Sequence, residues 1–151
     1  MTHSTSSEDQ EPQITAPRHY FTLAEANRAL VLVKRIAEDI QSIELQRRTL
    51  VHQTASSREQ PTQEQAKVIE SKFDTLTEQL GRLIEELAAI GVQLKDPTRG
   101  LVDFPSRFND RTILLCWQIG EPSISYWHDI ATGFSGRRSV RELEPQPQPV
   151  G

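Results

Sequence analysis

Apolar residues recur along the first two thirds of the chain at spacings of three and four. Ala29, Val33, Ile36, Ile40, Ile43 and Leu50 form one narrow stripe, interrupted in register only by Arg47. That period predicts a long amphipathic helix with a heptad-like seam. Thr22 is a suitable N-cap, with Glu25 three residues on for a capping box and Phe21 placed to staple onto Ala26. The helix is expected to end between Gln53 and Ser56, where Ser and Thr cluster. A second stripe runs Ala66, Ile69, Phe73, Leu76, Leu80, Leu83, Leu87, Ile90 without a break. Pro61 or Thr62 opens it, and Gly91 closes it as a left-handed cap with Val92 touching Leu87. Gly81 falls inside this helix, either as a tolerated surface glycine or as a point of close helix contact.

The connection between the two helices is short, so they are expected to be antiparallel neighbours, a hairpin over about residues 22–91. Two helices facing one another leave each seam half covered, and Leu32, Val68, Ile84 and Ala88 widen the stripes. A second copy of the hairpin would complete a four-helix bundle, so a homo-oligomer through the helix seams is expected. The competing expectation is that the C-terminal module covers the hairpin within one chain.

After Gly91 the period changes from helical to alternating. Val92–Lys95, then Leu101–Phe104 stopped by Pro105, then Thr112–Ile119, then Ile124–His128 read as short strands. Asn109-Asp110 and Gly120-Glu121-Pro122 read as turns. The best strand puts Ile113, Leu115, Trp117 and Ile119 on one face and Leu114 and Cys116 on the other. In the last strand Ile124, Tyr126 and His128 share a face opposite Trp127. The fold class is therefore α+β, a long antiparallel helical hairpin followed by an antiparallel β-meander of three or four strands over about residues 92–138.

Composition sharpens the boundaries. Residues 1–17 are rich in Ser, Thr, Glu, Gln and Pro, and residues 144–151 alternate Pro with polar residues, so both ends read as disordered tails. One domain over residues 18–143 remains. There is no secretory signal pattern and no apolar run of membrane-spanning length, so a cytoplasmic protein without membrane contact is expected. A net charge of −4 disfavours a nucleic-acid partner. A single cysteine excludes an internal disulfide.

The polar residues able to carry chemistry are confined to the meander. Asp103, Glu121 and His128 form the candidate ligand or metal site, because one imidazole and two carboxylates suffice for a divalent metal or for general acid–base work. Cys116, Trp117, Trp127 and Arg137 are supporting candidates. Each has a plainer role: Cys116 as a buried small hydrophobe without a basic neighbour in sequence, the tryptophans as core, and Asp103 paired with Arg99 or Arg107. Gly133 and Gly136 are expected to supply unusual backbone angles that fold Arg137 back onto Asp103 or Asp129. No recognised ligand spacing is present, and no cofactor is predicted beyond that divalent metal.

The blocks Tyr20-Phe-Thr-Leu-Ala-Glu-Ala-Asn27, Gly91 with Lys95-Asp96, Gly100-Leu-Val-Asp-Phe-Pro105, Leu115-Cys-Trp117, Gly120-Glu121, Tyr126-Trp-His128 and Gly133-Phe-Ser-Gly-Arg137 occur in order. In them the chain resembles the bacterial family catalogued as domain of unknown function 2203, over about residues 20–137. The resemblance implies no activity and assigns no residue a role. Two functional readings follow. The first is a homodimeric interaction or scaffold module without catalysis. The alternative is a small metal- or ligand-binding protein, or an enzyme, with its site on the meander.

Overall fold

The computed structural model describes residues 17–143. The tails expected at residues 1–17 and 144–151 therefore lie, Pro17 apart, outside the described residues. Helix α1 (Leu23–Ser56) and helix α2 (Gln63–Ile90) are followed by β1 (Gln93–Asp96), β2 (Leu101–Phe108), β3 (Arg111–Trp117), β4 (Tyr126–Asp129) and β5 (Arg138–Ser139). The strands form one antiparallel sheet in the order β1-β2-β3-β4-β5. The fold is α+β, two long helices and a five-stranded meander.

Thr22 caps α1, its side chain accepting from the Glu25 N–H at 3.1 Å. The reciprocal half of the expected capping box is absent: the Glu25 carboxylate turns to the Thr22 hydroxyl and to His19 instead, the latter at 2.7 Å. At α2 the box is complete, between Thr62 and Gln65. Gly91 takes a φ of 97°, and Val92 N–H returns to Leu87 C=O at 2.9 Å, the predicted left-handed cap.

The sheet packs one face onto the base of the hairpin. Val102 and Phe104 of β2, Ile113, Leu115 and Trp117 of β3 and Trp127 of β4 join Ala26, Leu30, Val33, Ala37, Ile40, Leu80 and Leu87 in one core. Residue 27 ties the layers further, the Asn27 side chain accepting from Ile124 N–H at 2.9 Å. The buried stripe of α1 takes in Ala26, Leu30, Ala37 and Glu44 beside Val33, Ile36 and Ile40 of the expected seam, while Ala29, Ile43 and Leu50 are only partly buried, because α1 meets α2 on one side and the sheet on another.

That contact ends part-way along the hairpin. Beyond Glu44 on α1 and before Leu80 on α2 no residue is buried. So the C-terminal module covers the hairpin base, and the outer part projects from it. Arg47, the break in the seam, lies over the Phe73 ring at 4.9 Å and pairs with Glu44 at 2.7 Å. The aliphatic stem and flat guanidinium fill a seam position that would otherwise take an apolar residue. Gly81 has nothing within 4 Å of where a Cβ would stand, so it is a surface glycine within this chain and not a close-contact point.

Three strand expectations need correction. Pro105 does not stop β2, which continues to Phe108. Its carbonyl accepts from Phe21 N–H at 2.7 Å, on the side where β1 has already ended. A strand residue's N–H and C=O point the same way, so the missing donor faces that side and no bond to β3 is lost. Ile124 precedes β4 and lies in the core beside Trp127, not on the His128 face. A fifth strand, Arg138–Ser139, closes the far edge, where two residues were too short to give a period.

Candidate functional site

The middle of the second face of the sheet is also buried, although Tyr126 on the same face is exposed. Its residues follow from the register: Asp103 of β2 lies opposite Cys116 of β3, and Cys116 opposite Tyr126 of β4. His128 is two residues beyond Tyr126 and so shares that face. Alternation places these side chains away from Val102, Phe104, Leu115 and Trp127, which fill the core. β2 is thus covered on both sides through Ser106.

The segment after β4 folds back over this second face. Gly133, with a φ of 62°, starts the return. Gly136 has an ordinary φ, contrary to expectation; it is glycine because a Cβ there would run into the Thr132 side chain. The return sets the Arg137 guanidinium over the Tyr126 ring at 4.1 Å and against the Phe134 ring at 4.7 Å. Arg137 also donates to the Cys116 carbonyl at 3.4 Å.

The three groups that meet beneath are Asp103, Cys116 and His128. His128 Nε2 lies 3.1 Å from Asp103 Oδ1. The Cys116 sulfur completes a set in which one ligand atom from each residue lies within 4.8 Å of the others, and all three residues are buried. The other ring nitrogen, Nδ1, is 2.8 Å from the Asp129 carbonyl. A carbonyl only accepts, so Nδ1 carries a proton and Nε2 is the nitrogen turned to the cluster. Facing Nε2, Asp103 and the Cys116 thiol push the imidazole pKa up to about 10, against the opposing effect of burial. The shift favours the protonated ring, with Nε2 donating to the Asp103 carboxylate.

Of the candidates named from sequence, Asp103 and His128 converge and Glu121 does not join them. Glu121 is held by Arg137, at 2.6 and 2.9 Å to its two carboxylate oxygens, and accepts from Gln118 N–H at 2.8 Å. Arg137 accordingly folds onto Glu121, not onto Asp103 or Asp129. Asp103 pairs with His128, while Arg99 lies over Phe134 and Arg107 over Tyr20. Trp117 and Trp127 are core residues, their indole N–H groups satisfied by the Glu121 and Ser139 carbonyls. Cys116 stands third in the cluster. Its sequence neighbours are apolar, but the sheet brings His128 and Arg137 beside it. The available signal was alternation: Asp103 and Cys116 both point away from the core on adjacent strands. Only the register could add that they are directly opposite.

Catalytic-triad geometry is poorly served here. A nucleophile–His–acid relay needs the nucleophile and the acid on opposite ring nitrogens, whereas Cys116 and Asp103 share the Nε2 side and Nδ1 is occupied by backbone. Three unlike ligand atoms converging on one point suit a metal ion.

A family model described as "Uncharacterized conserved protein (DUF2203)" matches residues 19–140. No curated protein and no solved structure matches the chain.

Proposed function

The chain belongs to the DUF2203 family of uncharacterized conserved proteins, and from that premise we propose that it works as a homodimeric interaction module, paired through its helical hairpin. One observation carries the reading: the outer hairpin is amphipathic, yet its two helices cover each other's seam only in part. Ile69, Phe73 and Leu76 keep their seam positions there, with none of them buried. Val31, Leu32, Leu45, Val51, Val68 and Ile84 are exposed along the helices. Long two-helix projections gain little from helix propensity alone and depend on tertiary burial of their apolar face.

Charge complementarity favours a second copy as the occupant. Residues 46–72, the outer hairpin, hold five Lys or Arg against three Glu. Residues 74–90, the base of α2, hold one Arg against four acidic residues. A two-fold axis across the hairpin would lay each basic tip along the partner's acidic base. Such pairing is isologous and closes after two copies.

Light scattering across a concentration series tests it. The expected mass is about twice the 17.2 kDa of the chain. Val68→Glu, at a site exposed in the single chain, is expected to give a folded monomer. A wild-type monomer at every concentration would overturn the reading.

A further inference from the structure

Independently of any pairing through the hairpin, we propose that Asp103, Cys116 and His128 form a binding site for one divalent transition-metal ion of the zinc class, with a fourth coordination position left to a non-protein ligand.

The ligand set comes first. A thiolate sulfur, an imidazole nitrogen and a carboxylate oxygen are soft, borderline and hard donors in turn, a mixture that suits zinc, cobalt(II) and iron(II) better than magnesium or calcium. The spacing agrees. Ligand atoms about 2.0–2.3 Å from a tetrahedral ion stand roughly 3.3–3.8 Å apart. Here Nε2 and Oδ1 are 3.1 Å apart, and no pair in the set exceeds 4.8 Å.

The support around the ligands is a second and separate observation. A metal-binding histidine characteristically donates its other ring N–H to a carbonyl or carboxylate, which fixes both tautomer and ring plane. His128 does this to the Asp129 carbonyl of its own strand at 2.8 Å. The ring cannot turn without breaking that part-buried hydrogen bond. The three ligands also stand on β2, β3 and β4, central strands of one hydrogen-bonded sheet, so their backbone positions are fixed by the ladder.

Charge closes consistently. A doubly charged ion against the Asp103 carboxylate and a Cys116 thiolate, with neutral imidazole, leaves the buried set without net charge. Arg137 and Glu121, lying next to Cys116, already neutralise each other at 2.6 Å. A fourth protein ligand is not in reach among the described residues: the groups of three or more His, Cys, Asp or Glu close enough to share an ion comprise this set alone. Three protein ligands and one open position are the arrangement of reactive zinc sites, while closed four-ligand sites are structural.

The test uses the full chain, stripped with chelator and titrated with cobalt(II). One equivalent should bind, with a thiolate-to-cobalt charge-transfer absorption that zinc abolishes by displacement. Zinc should raise the wild-type Tm. Cys116→Ala, which removes one sulfur from a buried position, should remain folded by circular dichroism and lose both the absorption and the zinc-dependent rise. Val68→Glu, which addresses hairpin pairing, should keep the full metal response, so the two readings fail separately. If cobalt gives no charge-transfer band, or if Cys116→Ala shows the same zinc-dependent Tm as wild type, the proposal is wrong.

Discussion

Between the imidazole of His128 and the carboxylate of Asp103 sits a proton that neither group can exchange easily with water, since both side chains are buried. The pairing holds the His128 pKa at about 10 in the ion-free folded chain, against about 6.5 when unfolded. The folded pKa is the higher one, so the stabilisation is complete below about pH 6.5 and declines as pH rises toward 10. Chelator-treated protein should therefore lose on the order of a few kcal/mol of unfolding free energy across that window. Asp103→Asn removes the anion. It should be less stable than wild type by about 3 kcal/mol near neutrality, with a much shallower dependence on pH. Urea unfolding of both proteins at several pH values checks this, because every other titrating group is common to the two. A parallel pair of curves would mean that His128 is neutral in the fold. At Gly91 the effect is conformational. A Cβ would meet Phe21 only at ordinary contact, 3.6 Å, but the φ of 97° strains any other residue. Gly91→Ala should cost about 1–2 kcal/mol in unfolding measurements, with no change in the core.

At the scale of elements, helices and strands differ in how much of them the chain announces. Both helices start at the threonines that spacing suggests, and the second ends at Gly91, because caps and 3.6-residue periodicity are local properties. Burial along α1 is not local. Leu30 and Ala37 are buried in a core shared with a sheet made of distant residues, and Glu44 is buried with its charge matched by Arg47 and Arg48. Pro105 was misleading for the same reason, since whether a proline ends a strand depends on which neighbour its missing N–H would have faced. The site was half legible. Asp103 and His128 could be picked as chemistry on short strands, but nothing in the spacing distinguishes Glu121 from Cys116 as their companion. That choice is made by the β2–β3 register and by Arg137 claiming Glu121. Gly81 supplies the prediction at this scale. With open space around its absent Cβ and ordinary helical backbone, Gly81→Ala should stabilise the fold by up to about 1 kcal/mol. Thermal unfolding at low protein concentration measures it; a loss instead would place another helix against that point.

The molecule as a whole divides its work along its length. At one end the sheet packs one face against the helices and buries the Asp103–Cys116–His128 part of the other. At the other end a hairpin extends past its last buried residues, Glu44 and Leu80. Among the described residues no helix is long and apolar enough to cross a membrane. If the outer hairpin serves pairing alone, it can be removed without harming the rest. Replacing residues 49–71 with a short Gly/Ser linker joins α1 to α2 below the hairpin tip and deletes no buried side chain. The core contributors Val33, Ile40, Leu80 and Leu87 all remain, as do the sheet and the Asp103–Cys116–His128 cluster. The shortened chain should therefore fold, keep the near-UV signature of buried Trp117 and Trp127, and retain one cobalt site with its thiolate band. Its mass in light scattering should be that of a monomer at concentrations where wild type is a dimer. Loss of the tryptophan signature would show that the projection stabilises the base through the helices themselves. Retained dimerisation would move the interface to the base, onto Val31, Leu32 and Ile84.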